Sequence, residues 1–277
     1  MRSCGKHFLV QLEGFALRVH LLLCAAIGAL AAGLPDWLDR DTGMSRLTAL
    51  RGRFIVYGML GAAVFWLYRQ LPVPAASRQR AAVAPLGLSR GIVVRLAALF
   101  SVDALAGGLV VNSLQSLWLF ERFGLSLLQA GVYFFWAGLL SAASQLAAPV
   151  VARRIGLMNT MVFTHIPAVI CLILAALAPT LPLALRLLFV RSALSQMDVP
   201  TRTAFVMAVV TPAERNAAAS FPAVPRSFAA ALSPTLSGAL FAASLISLPL
   251  VASGALKIAH DLALWRAMRR HPVDDDL

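Results

Sequence analysis

Asp103, Asp198, Asp261, Arg186, Arg191, Arg202, Arg226 and Lys257 all lie within apolar runs, where hydrocarbon is expected. Side chains of these types at membrane depth can move a proton or hold a charged solute. One such residue at the centre of a membrane helix costs about 3 kcal/mol on insertion scales, so eight facing lipid would cost on the order of 20 kcal/mol. A folded protein has only about 5 to 15 kcal/mol of net stability. The eight must therefore face one another, a bundle interior or water, except that Arg186, near a span end, can snorkel to the interface. Arg191, Ser195, Asp198 and Arg202 recur at i, i+4, i+7 and i+11, one face of a helix. Asp198 and Arg202 form an i,i+4 ion pair around Pro200, which removes a backbone donor. Either the pair locks a kink or it belongs to a solute or proton path. Lys257 and Asp261 form a second i,i+4 pair with His260 alongside, open to the same two readings. Asp103 has no basic residue within a helical turn, so it either carries a proton or pairs with a base on another span.

Other polar residues suggest a cavity without catalysis. Asn112, Gln115 and Ser116 share one helix face and could line a cavity, although polar helix contacts would explain them equally. His165, two residues before Pro167, reads as a cavity-lining group or an interhelical hydrogen-bonder. No second His, Cys or Glu stands at ligand spacing from it, so no metal site follows. Asp103 and Asp198 could be imagined as a catalytic acid pair, but no surrounding motif supports an enzyme, and no catalytic residue or cofactor is assigned.

These side chains need membrane helices to position them. Of 277 residues, 60% are hydrophobic and 13% charged, against about 45–50% and about 25% in soluble domains. Mean hydropathy is +0.79. The net charge of +12 comes almost entirely from arginines that punctuate apolar runs without forming a basic domain, which argues against nucleic acid as a partner. Three scattered cysteines make no disulfide framework. Membrane helices need about 20 apolar residues. The pattern predicts an all-α, multi-pass protein with about eight transmembrane helices, near 14–34, 53–70, 94–118, 127–151, 157–178, 182–210, 216–241 and 246–268. Pro222, Pro225 and Pro234 predict an irregular seventh span. Arg69, Arg78, Arg80, Arg90 and Arg95 in the 69–95 linker, Arg153 and Arg154, and the tail with Arg266, Arg269 and Arg270 fall on one side, so that side and both termini are expected in the cytoplasm. The 35–53 loop dissents, with Arg40, Arg46, Arg51 and Arg53 beside Asp36, Asp39 and Asp41.

Several segments together resemble a known family. Thr211-Pro212-Ala213-Glu214-Arg215 resembles the P-x-E-R loop between the tenth and eleventh helices of major facilitator superfamily transporters, and Arg191 to Arg215 looks like their tenth helix. Arg153-Arg154-Ile155-Gly156 is similar to the D-R-x-G turn joining helices eight and nine, with Arg153 in place of the motif's Asp. Gly28 to Pro35 resembles the glycine-rich fifth helix, and the basic linker resembles the one between the two halves.

The resemblance implies a partial fold of that superfamily, helices five to twelve. Residues 1–70 would hold two helices of the N-terminal half, 71–93 the cytoplasmic linker, 94–268 the six-helix C-terminal half and 269–277 the tail. It implies a secondary active transporter in a bacterial inner membrane, effluxing a small solute by alternating access with proton coupling. Asp103, Arg191, Asp198, Arg202, Arg226, Lys257 and Asp261 are the candidates for transport or coupling, and Asn112, Gln115 and His165 for the cavity. Partners would be the solute, protons, lipid, and either the missing first four helices or another copy. A chain without those helices is expected to insert but not transport. The alternative is a non-transporting membrane scaffold or assembly subunit. Basic residues outnumber acidic ones at depth, which slightly favours an anionic or zwitterionic solute.

Overall fold

The computed structural model describes residues 20–31, 33, 45–70, 87, 89–211 and 214–268. Among these the fold is all-helical, with no strand. The helices are α1 (His20–Ala31), α2 (Arg46–Gln70), α3 (Arg90–Gly108), α4 (Asn112–Phe123), α5 (Leu127–Ile155), α6 (Leu157–Leu177), α7 (Leu181–Leu194), α8 (Asp198–Val209), α9 (Arg215–Ser220), α10 (Ala223–Ala242) and α11 (Leu248–Met268). Four stretches are long and apolar enough to cross a membrane: Leu47–Gln70, Arg90–Phe123, Leu127–Ile155 and Leu157–Leu177. The chain is thus a helical membrane protein. Most of the 71–93 linker, the 269–277 tail and most of the dissenting 35–53 loop lie outside the described residues.

Three expected spans are interrupted. The 94–118 span is two helices, α3 and α4, with Val111 extended between them at ψ 157°. The 182–210 span divides at Ser195 to Met197 into α7, of 14 residues, and α8, of 12. Neither piece alone reaches the about 20 residues a bilayer needs. The 216–241 span breaks at Phe221 and Pro222, as its prolines predict. Where α3 ends inside the protein its last carbonyls need donors. Ser253 Oγ of α11 donates to Ala106 O at 2.6 Å, and Ser237 Oγ of α10 donates to Leu109 O at 2.9 Å.

Small residues let the helices approach closely, as expected where lipid gives no hydrophobic drive to association. A Cβ on Gly108 of α3 would meet Ser233 Cβ of α10 at 2.6 Å, and one on Gly138 of α5 would meet Ala26 Cβ of α1 at 2.8 Å. α10 runs along α3, α11 packs on α6 and α3, and α7 lies between α5 and α6. Two apolar clusters result. One gathers Leu109, Trp118, Tyr133, Leu172, Leu188 and Leu250, and the other Val93, Phe100, Met161, Phe205 and Leu264. Along α3, α6 and α11 the residues between these clusters are Asp103, His165, and Lys257 with Asp261. Outward, α2 exposes Phe54, Tyr57, Phe65 and Trp66. Such a surface suits hydrocarbon as its solvent.

Candidate functional site

The site is built from four helices that converge between the two apolar clusters. α3 contributes Phe100 and Asp103, α6 His165, α8 Asp198 and Arg202, and α11 Lys257, His260 and Asp261. Asp103 is 7% exposed and Asp261 3%. Lys257 Nζ donates to Asp103 Oδ1 at 2.7 Å, and Arg202 Nη1 lies 2.9 Å from Asp103 Oδ2. The other terminal nitrogen of Arg202 donates to Asp198 Oδ2 at 2.6 Å. Arg202 therefore bridges two carboxylates with the forked geometry that suits a guanidinium. Its carbon centre stands 5.0 Å from the Phe100 ring, and that ring is 6.4 Å from the His260 ring. Beyond Phe100, Asp261 accepts from two imidazoles, His165 Nδ1 at 2.7 Å and His260 Nδ1 at 3.0 Å, one on each oxygen.

Local sequence places the ion pair on α8. Thr201 Oγ1 donates to the carbonyls of Met197 and Asp198 at 3.0 Å, which holds the first turn. Pro200 sits in that first turn, where the backbone N–H has no intrahelical partner in any case. The expectation that Pro200 strips a carbonyl of its donor is therefore corrected: the interruption lies upstream of it, at Ser195 to Met197.

The cluster's charges do not cancel. Asp103, Asp198 and Asp261 oppose only Arg202 and Lys257 as permanent cations, so one further positive charge balances the set. His260 Nε2 and Arg202 Nε are buried without a hydrogen-bond partner among the described residues, which leaves the cluster with unused bonding capacity.

The structure sorts the remaining expectations. The Asp198–Arg202 pair is present. The Lys257–Asp261 pair is not: the face they share is split between α3 and α6, with Lys257 turned to Asp103 and Asp261 to His165. Of the two readings of Asp103, the structure has pairing with bases on other helices. His165 is in the charged cluster. Gln115 is buried and donates to the Tyr133 hydroxyl at 2.6 Å. Asn112 lies at the start of α4. With Ser113, Ser116, Phe120, Phe134 and Ala29 it borders a space of about 250 Å³ between α1, α4 and α5. Arg191 and Arg226 are not drawn into the cluster. Arg226 is exposed near the start of α10, and Arg191 lies in the last turn of α7; no carboxylate among the described residues pairs with either.

Sequence reasoning missed three contributors. Phe100 carried no polar signal, and His260 was visible only as a neighbour of Asp261. Glu214 was noted for its motif rather than for its contacts. Its carboxylate accepts from the backbone N–H groups of Gly87 and Ser89, ahead of α3, and from the Thr211 hydroxyl at 2.8 Å. Hydrogen bonds from Ser89, Gly87 and Thr211 pull its pKa down to about 2. Among the described residues no three His, Cys, Asp or Glu side chains are arranged to hold a metal ion. No protein-family model matches the chain, and no curated protein matches it.

Proposed function

We propose that this chain is a proton-coupled secondary transporter of a small solute, working as an exporter by alternating access in a bacterial inner membrane. In this reading α3 to α11 correspond to the C-terminal six-helix half of the major facilitator fold, and α1 and α2 to helices five and six. The observation that carries it is the charge-deficient cluster of Asp103, Asp198, Arg202, His165, Lys257, His260 and Asp261, held by four helices between two apolar layers. A membrane protein rarely retains ionisable groups at that depth except on ion, proton or substrate pathways. In this reading a proton passing through the cluster changes which of its ion pairs form, so the helix contacts favoured in the two states differ.

The scaffold reading also permits buried ion pairs, but it assigns them no proton cycle. Concentration jumps of organic acids, sugars and cationic drugs on protein-loaded solid-supported membranes separate the two. Solute-driven currents that depend on pH and vanish in Asp103→Asn are expected when the chain is reconstituted with the further helices that the resemblance implies. Absence of current from every solute class, with the variant and parent alike, would leave the scaffold.

A further inference from the structure

The outer face of α5 runs into a pair of arginines. Leu139, Ala143, Leu146 and Val150 recur at i, i+4, i+7 and i+11, and all four are exposed. Arg153 and Arg154 follow at i+14 and i+15, on either side of the same face and likewise exposed. From Leu139 to Val150 the apolar stripe is about 17 Å long at the rise of an α-helix, against about 15 Å for half of the hydrocarbon core. An acyl chain laid along the stripe therefore brings its headgroup level with the arginines. A tight turn fixes that corner: Gly156 has φ 84°, and Asn159 Nδ2 of α6 donates to Ile155 O at 2.9 Å.

Charge decides which headgroup. The apolar cluster that includes Val93, Leu96, Met161, Phe205 and Leu264 gathers one end of α3, α6, α8 and α11. Arg90, Arg95 and Arg266 stand exposed at that end together with Arg153 and Arg154. Among the described residues the carboxylate at that end is Glu214, which already accepts from Gly87, Ser89 and Thr211. No described carboxylate pairs with Arg153 or Arg154. Guanidinium groups in that position suit a phosphodiester, whose oxygens take their forked hydrogen bonds. A zwitterionic headgroup brings its own cation to the same arginines, whereas an anionic one does not, so the basic end favours the anionic lipid. A free phosphate would meet the arginines but leave the stripe beside them uncovered.

We propose that Arg153 and Arg154, with the stripe from Leu139 to Val150, form a binding site for an anionic phospholipid of the leaflet they face. The site needs only that the chain spans a membrane, and it stands whether or not the chain transports a solute. Native mass spectrometry of the purified 277-residue chain, offered phosphatidylglycerol and phosphatidylcholine with the same acyl chains, tests it. Phosphatidylglycerol should be retained in preference by about fivefold or more. The variant carrying Arg153→Gln with Arg154→Gln should lose most of that preference, and Arg153→Lys with Arg154→Lys should keep part of it. Arg186→Gln removes an exposed arginine of α7, beside the other apolar cluster, and should leave the preference unchanged.

A second measurement needs no variant. In vesicles holding the unaltered chain, phosphatidylglycerol with a photoactivatable diazirine on its acyl chain should label the peptide containing Leu146 and Val150 more strongly than the phosphatidylcholine analogue does. Millimolar inorganic phosphate should not displace it. Equal retention of the two lipids, an undiminished preference in the Gln variant, or labelling confined to other helices would each overturn the proposal. Displacement by inorganic phosphate would make the arginines a site for a free anion and would overturn it as well. Solute-driven currents, present or absent, bear on the transporter reading alone.

Discussion

Arg202 touches two carboxylates while Lys257 touches one, so its loss should be felt most within the cluster. Arg202→Gln leaves Asp198 with no cation among the described residues, and an uncompensated buried charge costs about 3–5 kcal/mol. Melting of the purified protein in detergent should therefore fall further for Arg202→Gln than for Asp198→Asn. The double variant should recover part of the Arg202→Gln loss. Simple additivity of the two changes would show that the contact carries no coupling energy. This pair was legible in the sequence because both members lie on one helix four residues apart. The same rule failed at Lys257 and Asp261. Spacing says which side chains share a face, but which neighbouring helices line that face depends on tertiary packing. Asp103 and Lys257 are 154 positions apart, and no local pattern connects them.

Among the elements, the all-helical class was readable, while four of the eight expected spans appear among the described residues as stretches long and apolar enough to cross a membrane, and the continuity of the others was not readable. The prolines near α10 announced its break. The break between α7 and α8 contains neither Gly nor Pro; Gln145 Nε2 of α5 reaches Gln196 Oε1 there at 3.5 Å, and Thr201 Oγ1 donates to the Met197 carbonyl at 3.0 Å. Helix contacts give two sharp expectations. Gly108→Ala would push a methyl group against Ser233 and to 3.0 Å from the Ala230 carbonyl, lowering stability by about 1–3 kcal/mol in thermal melts, the usual range for overpacking. Gly238→Ala on α10 meets nothing within 4 Å, so it should leave melting unchanged or raise it slightly, since Ala favours a helix over Gly. The Glu214 contact adds a pH dependence. Its pKa is about 2 in the fold against an ordinary 4.5, so the ionised carboxylate stabilises the protein above about pH 4.5. That contribution disappears as pH falls towards 2. Melting of Glu214→Gln should lie below that of the parent near neutrality, and the gap should close across this acid window. A gap that stays constant from neutral to acid would refute the assignment.

For the molecule as a whole, the arginine distribution predicts an orientation that labelling can test. In cells, a cysteine at Arg154, exposed where α5 meets α6, should resist an impermeant thiol reagent applied from outside. One at Ser244, the exposed turn before α11 with φ 63°, should react. A cysteine at Arg78, outside the described residues, should behave like Arg154. The reverse pattern would invert the topology. The long separation between Asp103 and its two cations also bears on how the protein is made. Ribosomes add about 5–20 residues per second, so α3 emerges roughly 5–20 s before Arg202 and roughly 8–30 s before Lys257 exist. During that interval Asp103 has neither counter-ion, and a helix bearing a lone carboxylate gains little by moving into lipid. The nascent α3 should therefore linger at the insertion machinery, crosslinking there until α8 and α11 have been translated, whereas Asp103→Leu should let it leave early.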